Sequence, residues 1–362
     1  MIQVKLRDFV EGIKKVRGVV AESEVLEYLR IFRLNVGTDK INLAGTDGRI
    51  TLYTSVPCIN EDNQQEDFSI SSDKIASFTK IFDGSDGDLE IDILSDYVKF
   101  FVKSSDGYET EFKTLKKEVD IEFNFDMLDT STFDDEINSK DMEYILNSLI
   151  GLADTTSYEM SDQVIYLDGT KAFLYNGVVA SKIDIITNKQ YYFDYKLSRQ
   201  LKALIGEDSI VKFKKYDDTG EIMLYIAGDT SSDIILYRPV DDEIIDSSFF
   251  NKVSKDNAIK IDKSEFTRAL MLVGLISDDG EANMKISRNN INIYIVNGNG
   301  EDANKDINAI CDEVKEDIIL KADTMIKIIE PLKEVNLCLD VENYTAVLFD
   351  DRILSITSID FQ

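Results

Sequence analysis

A short amphipathic helix that the sequence predicts three times is the feature that most restricts the fold. The middle copy covers residues 194–205, where apolar side chains recur at three- and four-residue steps and therefore lie on one helix face. Residues 71–82 repeat this pattern 123 positions earlier, and residues 321–332 repeat it 127 positions later. Because each copy leads into strand-like sequence, the repeat is a whole small domain rather than a solenoid unit of roughly 20–50 residues.

The composition limits the class of protein. With 362 residues, of which 43% are hydrophobic, the chain is long enough for two or three domains of roughly 100–200 residues each. No apolar run approaches the ~20 residues of a membrane span, and the N-terminus resembles neither a signal peptide nor a transit peptide. Three widely spaced cysteines, Cys58, Cys311 and Cys338, are expected to be reduced in a cytoplasmic protein.

The chain contains no histidine, which excludes Ser-His-Asp and Cys-His nucleophile systems and histidine-dependent metal sites. Residues 83–88 have the composition of a calcium loop but lack the glutamate at its twelfth position. Residues 298–303 fit a dinucleotide fingerprint in form, but strand-like sequence follows where a helix is required. We therefore expect no enzyme, no metal and no cofactor.

The order of the predicted elements indicates an α+β fold with antiparallel sheets, because hairpin turns rather than crossover helices join most strands. The predicted domains are residues 1–118, 119–243 and 244–362, and each reads as strand, helix, strands, helix and hairpin strands. The six predicted helices cover residues 5–17, 71–82, 139–153, 194–205, 262–276 and 321–333. The predicted strands include residues 41–56, 121–125 and 307–315.

Charge is distributed unevenly between these elements. The chain has a net charge of −29, yet the six predicted helices hold 16 Lys or Arg and 10 Asp or Glu, a net charge of +6. One interpretation is that Lys and Arg simply favour helices. The other is that the helices share a surface that faces a polyanion, while the acidic strands and loops face elsewhere.

Three stretches carry a resemblance to a known family: Leu43–Ile50 (LAGTDGRI), Phe68–Phe78 (FSISSDKIASF) and the final strand-like run Ile353–Phe361. Together with three α+β units of about 120 residues, each with two helices, they resemble the bacterial DNA sliding clamp, the β subunit of DNA polymerase III. The resemblance covers the whole chain in length and in the order of elements.

The resemblance implies a head-to-tail homodimeric ring in which helices line the hole, sheets form the outer layer and double-stranded DNA passes through without base readout. It implies a non-enzymatic processivity factor that works with a clamp loader and a replicative DNA polymerase. The residues expected to face DNA are Lys14, Lys15, Arg17, Lys80, Lys196, Arg199, Lys202, Arg268 and Lys327.

The family also binds client peptides in a pocket between its second and third domains. The family segment Thr-Asp-Gly-His-Arg-Leu aligns here with residues 174–179, where only Gly177 is retained, whereas residues 46–50 carry a closer copy, Thr-Asp-Gly-Arg-Ile. The expected pocket residues are Tyr175, Gly177, Val179, Pro239, Val240, Ile356, Ile359 and Phe361. The expected dimer contacts are Lys74, Phe78, Tyr108, Thr110 and Phe112 on one subunit and Leu275 and Ile276 on the other.

Two alternatives belong to other classes of function. One is a β-rich structural or interaction oligomer that does not bind DNA. The other is a hydrolase that uses a metal held by carboxylates, since pairs such as Asp241-Asp242 and Asp350-Asp351 occur in the chain. A ring of twice the monomer mass distinguishes the clamp from both.

Overall fold

In the computed structural model, the chain is an α+β protein with six α-helices and 25 strands among its described residues. The described residues are 1–20, 29–119, 121–126, 132–157, 159–228, 232–239, 245–296, 299–312, 314 and 317–361. The acidic link at residues 241–243 lies outside them. The predicted fold class is therefore confirmed.

All six predicted helices are present. They are α1 (Leu6–Arg17), α2 (Ser72–Ile81), α3 (Ser139–Leu149), α4 (Tyr195–Leu204), α5 (Lys263–Gly274) and α6 (Ala322–Ile329). A 3-10 turn at residues 150–152 extends α3. The starts of α2, α4 and α6 are separated by 123 and 127 residues, as the repeat predicts.

The strands repeat one order three times. The first repeat contains β1 (Ile2–Lys5), β2 (Ile31–Val36), β3 (Lys40–Thr46), β4 (Ile50–Asn60), β5 (Glu66–Ser71), β6 (Gly87–Ile93), β7 (Tyr97–Ser104) and β8 (Glu109–Lys117). The second contains β9 (Asp135–Asn138), β10 (Val164–Leu167), β11 (Lys171–Tyr175), β12 (Val179–Asp184), β13 (Tyr191–Asp194), β14 (Ile210–Lys215), β15 (Ile222–Ala227) and β16 (Ser232–Tyr237). The third contains β17 (Ile259–Ile261), β18 (Glu281–Ser287), β19 (Asn290–Val296), β20 (Asp302–Asn308), β21 (Ile318–Lys321), β22 (Val335–Asp340), β23 (Thr345–Phe349) and β24 (Ile353–Ser358), followed by β25 (Asp360–Phe361).

Every helix begins directly after a short strand. Polar side chains fix three of these junctions, because they accept hydrogen bonds from backbone amides in the first helical turn. Asn138 caps α3, Asp194 caps α4 and Asp262 caps α5. Each repeat therefore places its two helices at defined points between strands.

By compactness the chain divides into two units, and the three predicted domains stay a prediction. Unit 1 comprises residues 1–142 and 199–240, and unit 2 comprises residues 143–198 and 241–362.

Unit 1 is built on a twelve-stranded sheet with the order β1-β6-β7-β8-β5-β2-β3-β4-β16-β15-β14-β9. β1 also pairs with the end of β4, so the eight strands of the first repeat close on themselves. The two ends of the 11-residue β4 pair with different strands. Residues Ile50–Thr54 pair with β16, and residues Cys58–Asn60 pair with β1. In the core, the Phe9 ring of α1 packs edge to face on Phe78 of α2.

Unit 2 contains two sheets. An eight-stranded sheet has the order β13-β10-β11-β12-β24-β23-β22-β17, and a five-stranded sheet has the order β20-β19-β18-β21-β25. In the first, strands of the second and third repeats pair directly, with Ser181 opposite Ser355. Helix α5 packs on α6 and on the five-stranded sheet, where Phe266 and Leu270 are fully buried.

Three strand predictions are wrong in detail. Residues 41–56 form two strands rather than one, because a turn at residues 47–49 separates β3 from β4. Residues 121–125 form no strand; their Phe123 and Phe125 rings instead pack edge to face on Tyr53. The strand predicted at residues 307–315 is β20, which ends at Asn308.

Candidate nucleic-acid interface and peptide-binding surface

All nine basic residues expected to face DNA lie on α-helices. Seven have exposed side chains: Arg17, Lys80, Lys196, Arg199, Lys202, Arg268 and Lys327. On α4 the exposed cations recur every three residues, while Leu197 and Leu201 are fully buried. Since α4 contains no acidic residue, it presents a purely positive face.

The observed helices keep the charge that the predicted helices carry. They contain 13 of the 40 Lys and Arg residues and 7 of the 69 Asp and Glu residues, a net charge of +6. The rest of the chain carries 27 basic and 62 acidic residues, a net charge of −35. The predicted separation of charge between the helices and the rest of the chain is confirmed.

Lys14 and Lys15 are the two half-buried members of the predicted set. Hydrogen bonds to Asp83 and to Glu11 raise the pKa of Lys14. The Lys15 Nζ atom lies 2.9 Å from Oδ2 of Asp233, whose side chain is only 4% exposed. Carboxylates of the same chain thus engage both lysines, and their contact with DNA stays a prediction.

The hairpin between β11 and β12 brings predicted pocket residues together. Gly177 at its turn has a φ of +80°, a conformation that glycine adopts without strain. The Asn176 side chain accepts hydrogen bonds from the two backbone amides that follow Gly177. β12 then pairs with β24. As a result, Val179 and Ile356 occupy neighbouring strands of one sheet, and Gly177 lies in the turn that leads into the first of them.

A segment that the sequence did not single out covers this part of the eight-stranded sheet. In residues 245–253, Ile245, Phe249 and Val253 pack against a buried cluster that includes Phe250. The Phe249 ring lies 5.9 Å from the exposed Tyr175 ring. The adjacent Phe249-Phe250 pair was the available sequence signal. We call Tyr175, Phe249, Ile245 and Ile356 the apolar surface of unit 2.

Asp168 anchors this segment to the sheet. The Ser247 hydroxyl donates a hydrogen bond of 2.5 Å to Oδ2 of Asp168, and Lys171 Nζ lies 3.0 Å from the same carboxylate. Burial by itself would raise the pKa of Asp168. Hydrogen bonds from Ser247, the Thr170 backbone and Lys171 outweigh it and lower the pKa to about 2.

The other predicted pocket residues lie elsewhere or are covered. Val179 and Ile359 are buried, so they belong to the core rather than to an open surface. Phe361 lies in β25, which pairs with β21 in the five-stranded sheet. Pro239 belongs to unit 1, and Val240 lies outside the described residues.

The closer copy of the family motif, residues 46–50, forms the hairpin turn between β3 and β4. The Asp47 side chain caps this turn in the same way as Asn176 caps the turn at Gly177. The Arg49 guanidinium lies 5.9 Å from the ring centre of Tyr237, with Nη2 3.4 Å from its hydroxyl. The basic side chain of this motif is therefore engaged inside unit 1.

The predicted dimer contacts of the first repeat are only partly exposed. Lys74 and Tyr108 are exposed, whereas Thr110 and Phe112 are half-buried. Phe78 is 3% exposed, because its ring packs among neighbouring phenylalanine rings in unit 1. Phe78 is thus a core residue rather than a surface contact.

The end of α5 carries the predicted contacts of the third repeat. Leu275 is 84% exposed, and Ile276 is half-buried. Met271 and Leu272, which the sequence did not single out, are also exposed. These residues form an apolar face on the last turns of α5.

Neither a metal site nor a membrane-spanning helix is found among the described residues. They contain no group of three Cys, Asp or Glu side chains placed to hold a metal ion. The helices of the described part of the chain are too short or too polar to span a bilayer.

No protein-family model and no curated protein matches the chain in sequence. Solved structures match its fold. A DNA polymerase sliding clamp from Pseudomonas aeruginosa gives a TM-score of 0.82 at 13% identity, with 99% of both chains covered. The chain has the fold of the bacterial DNA sliding clamp.

Further sliding clamps match equally over the whole length. The β sliding clamp from C. crescentus gives a TM-score of 0.79 at 10% identity, with 99% of both chains covered. The clamp from Bartonella birtlesii, solved bound to griselimycin, gives 0.79 at 14% identity, covering 99% of this chain and 100% of the clamp. The sliding-clamp fold thus extends over all three repeats of this chain.

Proposed function

We propose that this chain is a DNA sliding clamp, a processivity factor without catalytic activity that encircles double-stranded DNA and tethers a replicative polymerase. The observation that carries the proposal is the separation of charge on this fold, +6 on the helices against −35 on the rest of the chain. Phosphates require Lys and Arg, and contacts to phosphate alone carry no sequence information. A ring held in this way slides along any duplex.

The pairing of strands between repeats supports closure of the ring by a second copy. β4 of the first repeat pairs with β16, the last strand of the second, and β12 of the second repeat pairs with β24, the corresponding strand of the third. β20 corresponds to β4 and β12, yet no described strand pairs with its outer edge. The matching last strand of the first repeat is β8, so head-to-tail pairing of β20 with β8 of another copy completes the series.

Apolar side chains flank both of these edges. Phe112 lies on β8 and Tyr108 directly precedes this strand. The exposed Leu275 lies at the end of α5, which packs against β20. Leu275→Asp is expected to give a folded monomer of 41.1 kDa, whereas the wild type sediments at twice that mass. Ile186→Asp is the matched control, because Ile186 is also an exposed apolar residue of unit 2 and lies in the loop after β12, away in sequence from α5 and β20. A dimeric Leu275→Asp variant places the contact elsewhere.

We further propose that clients dock on the apolar surface of unit 2. It combines the exposed Tyr175 ring with Phe249 and Ile356 beside the hairpin at Val178. An apolar surface at a strand turn suits an extended peptide with one or two apolar side chains. We propose that the protein works in the cytoplasm, with a clamp loader and a polymerase as its partners. We also propose that its three domains cover residues 1–118, 119–243 and 244–362.

The test is processive synthesis on primed circular DNA with the polymerase and clamp loader of the same replication system. Wild-type protein is expected to increase the length of DNA that the polymerase synthesises each time it binds the template. Tyr175→Ala with Val178→Asp is expected to leave a ring on DNA but to abolish this effect, since loss of a hot-spot aromatic weakens binding by about 2 kcal/mol or more. Ile186→Asp, at an exposed residue in the loop after β12, is the control. A wild type that never lengthens products contradicts the proposed function.

A further inference from the structure

The inner strands of the three repeats correspond residue by residue, because directly opposite residues can be followed across each sheet to the start of a helix. From Tyr53 on β4, this row leads across β3 and β2 into β5 and ends three residues before α2. The row from Lys182 on β12 ends three residues before α4, and the row from Asn304 on β20 ends three residues before α6. Tyr53, Lys182 and Asn304 therefore occupy equivalent positions.

The last strands of the repeats correspond in the same way. From Ile234 on β16, the row leads across β15 and β14 into β9 and ends three residues before α3. The row from Leu354 on β24 ends three residues before α5, and the row from Glu111 on β8 ends three residues before α1. Ile234, Leu354 and Glu111 are therefore equivalent too.

Both strand pairs that join neighbouring repeats have the same register. Tyr53 lies opposite Ile234 in unit 1, and Lys182 lies opposite Leu354 in unit 2. We call the pairing of β20 of one copy with β8 of another copy the closing seam. In the shared register, the closing seam sets the Asn304 position opposite the Glu111 position.

The burial of the two edge strands fits this register. It sets Ala303 opposite Phe112, and these side chains belong to the same face of the sheet. Ala303 is buried, and the Phe112 ring lies 5.9 Å from the ring of the buried Phe78. Because side chains alternate along a strand, a shift by one residue would set these two inward-facing residues opposite exposed ones.

On the other face of the closing seam, the register sets charged side chains opposite each other. Asp306 lies opposite Glu109, whereas Asp302 lies opposite Lys113, and all four are exposed in the single chain. Opposite charges in such cross-strand positions stabilise the pairing of two strands, and like charges destabilise it. The seam therefore combines one attractive pair with one repulsive pair.

The Asp306 carboxylate is held at this position by its own chain. The Nδ2 atoms of Asn290 and Asn292 each donate a hydrogen bond of 3.0 Å to its Oδ1 atom, and these bonds lower the pKa of Asp306. Lys103 is opposite Glu109 on β7, but its ammonium group forms an ion pair with a carboxylate of β6. Both acids thus bring negative charge to the seam.

We propose that Asp306 and Glu109 form a repulsive pair in the closing seam, so that the ring closes more tightly as the salt concentration rises. This inference rests on the proposed function, because it names what regulates closure of the ring. A head-to-tail dimer has two such seams, and the repulsion therefore acts twice. At about 1 M salt the Debye length is about 3 Å, and the repulsion is then screened.

The test compares Asp306→Asn with Asp302→Asn, two exposed acids of one strand whose substitutions change the charge equally. At low salt, Asp306→Asn is expected to lower the Kd of the dimer about 2- to 30-fold, because a repulsive pair is lost from each of two seams. Asp302→Asn is expected to raise the Kd by a similar factor, because Lys113 loses its partner. Sedimentation of fluorescently labelled protein over a dilution series measures each Kd at about 20 mM and about 1 M salt, and at 1 M the variants are expected to match the wild type.

Glu109→Gln shows whether the two acids face each other. This variant is expected to tighten the dimer as Asp306→Asn does, and the double variant is expected to tighten it no further, because either change removes the whole repulsion. Thermal unfolding verifies that each variant keeps the wild-type fold.

Three results would overturn the inference. Additive effects of Glu109→Gln and Asp306→Asn mean that the two side chains do not meet, and equal Kd values for Asp306→Asn and Asp302→Asn mean that the register is different. Both of these results leave the ring and the clamp function standing. A wild type that sediments at 41.1 kDa at every concentration and salt overturns the ring together with this inference.

Discussion

The ion pair between Lys15 and Asp233 allows a direct test of whether a helix cation stabilises the folded state by pairing with a buried carboxylate. Lys15→Met keeps most of the aliphatic stem and removes the ammonium group. The Asp233 carboxylate, 4% exposed, then loses its partner at 2.9 Å, while Oδ1 of the same carboxylate is buried without a hydrogen bond among the described residues. A charge buried in this way has little access to water and destabilises the folded state.

The magnitude follows from burial. Removal of one partner from a fully buried pair costs about 3–5 kcal/mol, and removal from an exposed pair costs about 0–1 kcal/mol. Since the Lys15 side chain is 28% exposed, the expected loss is between these limits, about 2–3 kcal/mol. For a unit of roughly 180 residues this lowers Tm by about 5–10 °C.

Lys14→Met is the matched control, because the neighbouring lysine pairs with Glu11 and Asp83, whose side chains are both exposed. It is expected to lower Tm by less than about 3 °C. Scanning calorimetry of the two variants and of Lys15→Met with Asp233→Asn makes the comparison, and the double variant is expected to recover part of the loss. If Lys15→Met unfolds at the same temperature as Lys14→Met, Asp233 is not the buried partner of Lys15.

Further predictions concern the anchor of residues 245–253, a close contact and a turn. Asp168→Asn is expected to destabilise unit 2 by about 1 kcal/mol at pH 7 after allowance for solvent screening. Because the pKa of Asp168 is lowered to about 2, the stability that its carboxylate contributes is present above pH 4 and is lost as pH falls towards 2. Calorimetry at pH 7 and pH 2 tests the sign of this effect. Gly45→Ala is expected to lower stability by about 1–3 kcal/mol in urea unfolding, because the new Cβ would meet Val16 and Val20 side chains at 2.6 Å. Gly177→Ala is expected to lose about 1 kcal/mol, since φ is +80° there although space is open; equal stability of variant and wild type contradicts the left-handed turn.

The helices could be predicted from the sequence, because each has an apolar face with a 3.6-residue period. The strands that precede them were harder to find. β1 has only four residues, too few for a clear alternating pattern, and its place is decided by pairing of Ile2 with Asn60 and Ile91. Tertiary pairing of this kind leaves no local signal.

The same limit applies to the candidate site. Periodicity placed Arg199 and Lys202 on an exposed helix face, and the structure agrees. It could not show that Lys15 meets Asp233, which is 218 residues away. Nor could it show that Phe249 packs beside Tyr175, because that contact depends on where the link between repeats returns to the sheet.

A net charge of −29 does not prevent phosphate binding, because salt limits how far each charge is felt. At 0.15 M salt the Debye length is about 8 Å, shorter than the roughly 10 Å diameter of a helix with its side chains. A phosphate against the exposed face of α4 therefore interacts with Arg199 and Lys202 and little with acidic residues more than about 8 Å away. At about 10 mM salt the Debye length rises to about 30 Å, and the net negative charge then opposes binding.

We therefore expect the plot of log affinity against log salt to flatten below about 50 mM rather than to continue as a straight line. Anisotropy titrations of a short fluorescein-labelled duplex down to about 10 mM salt measure this directly. A plot that stays linear over that range means that the acidic strands and loops do not influence the phosphate contact, and the charge separation then has no electrostatic consequence for DNA binding.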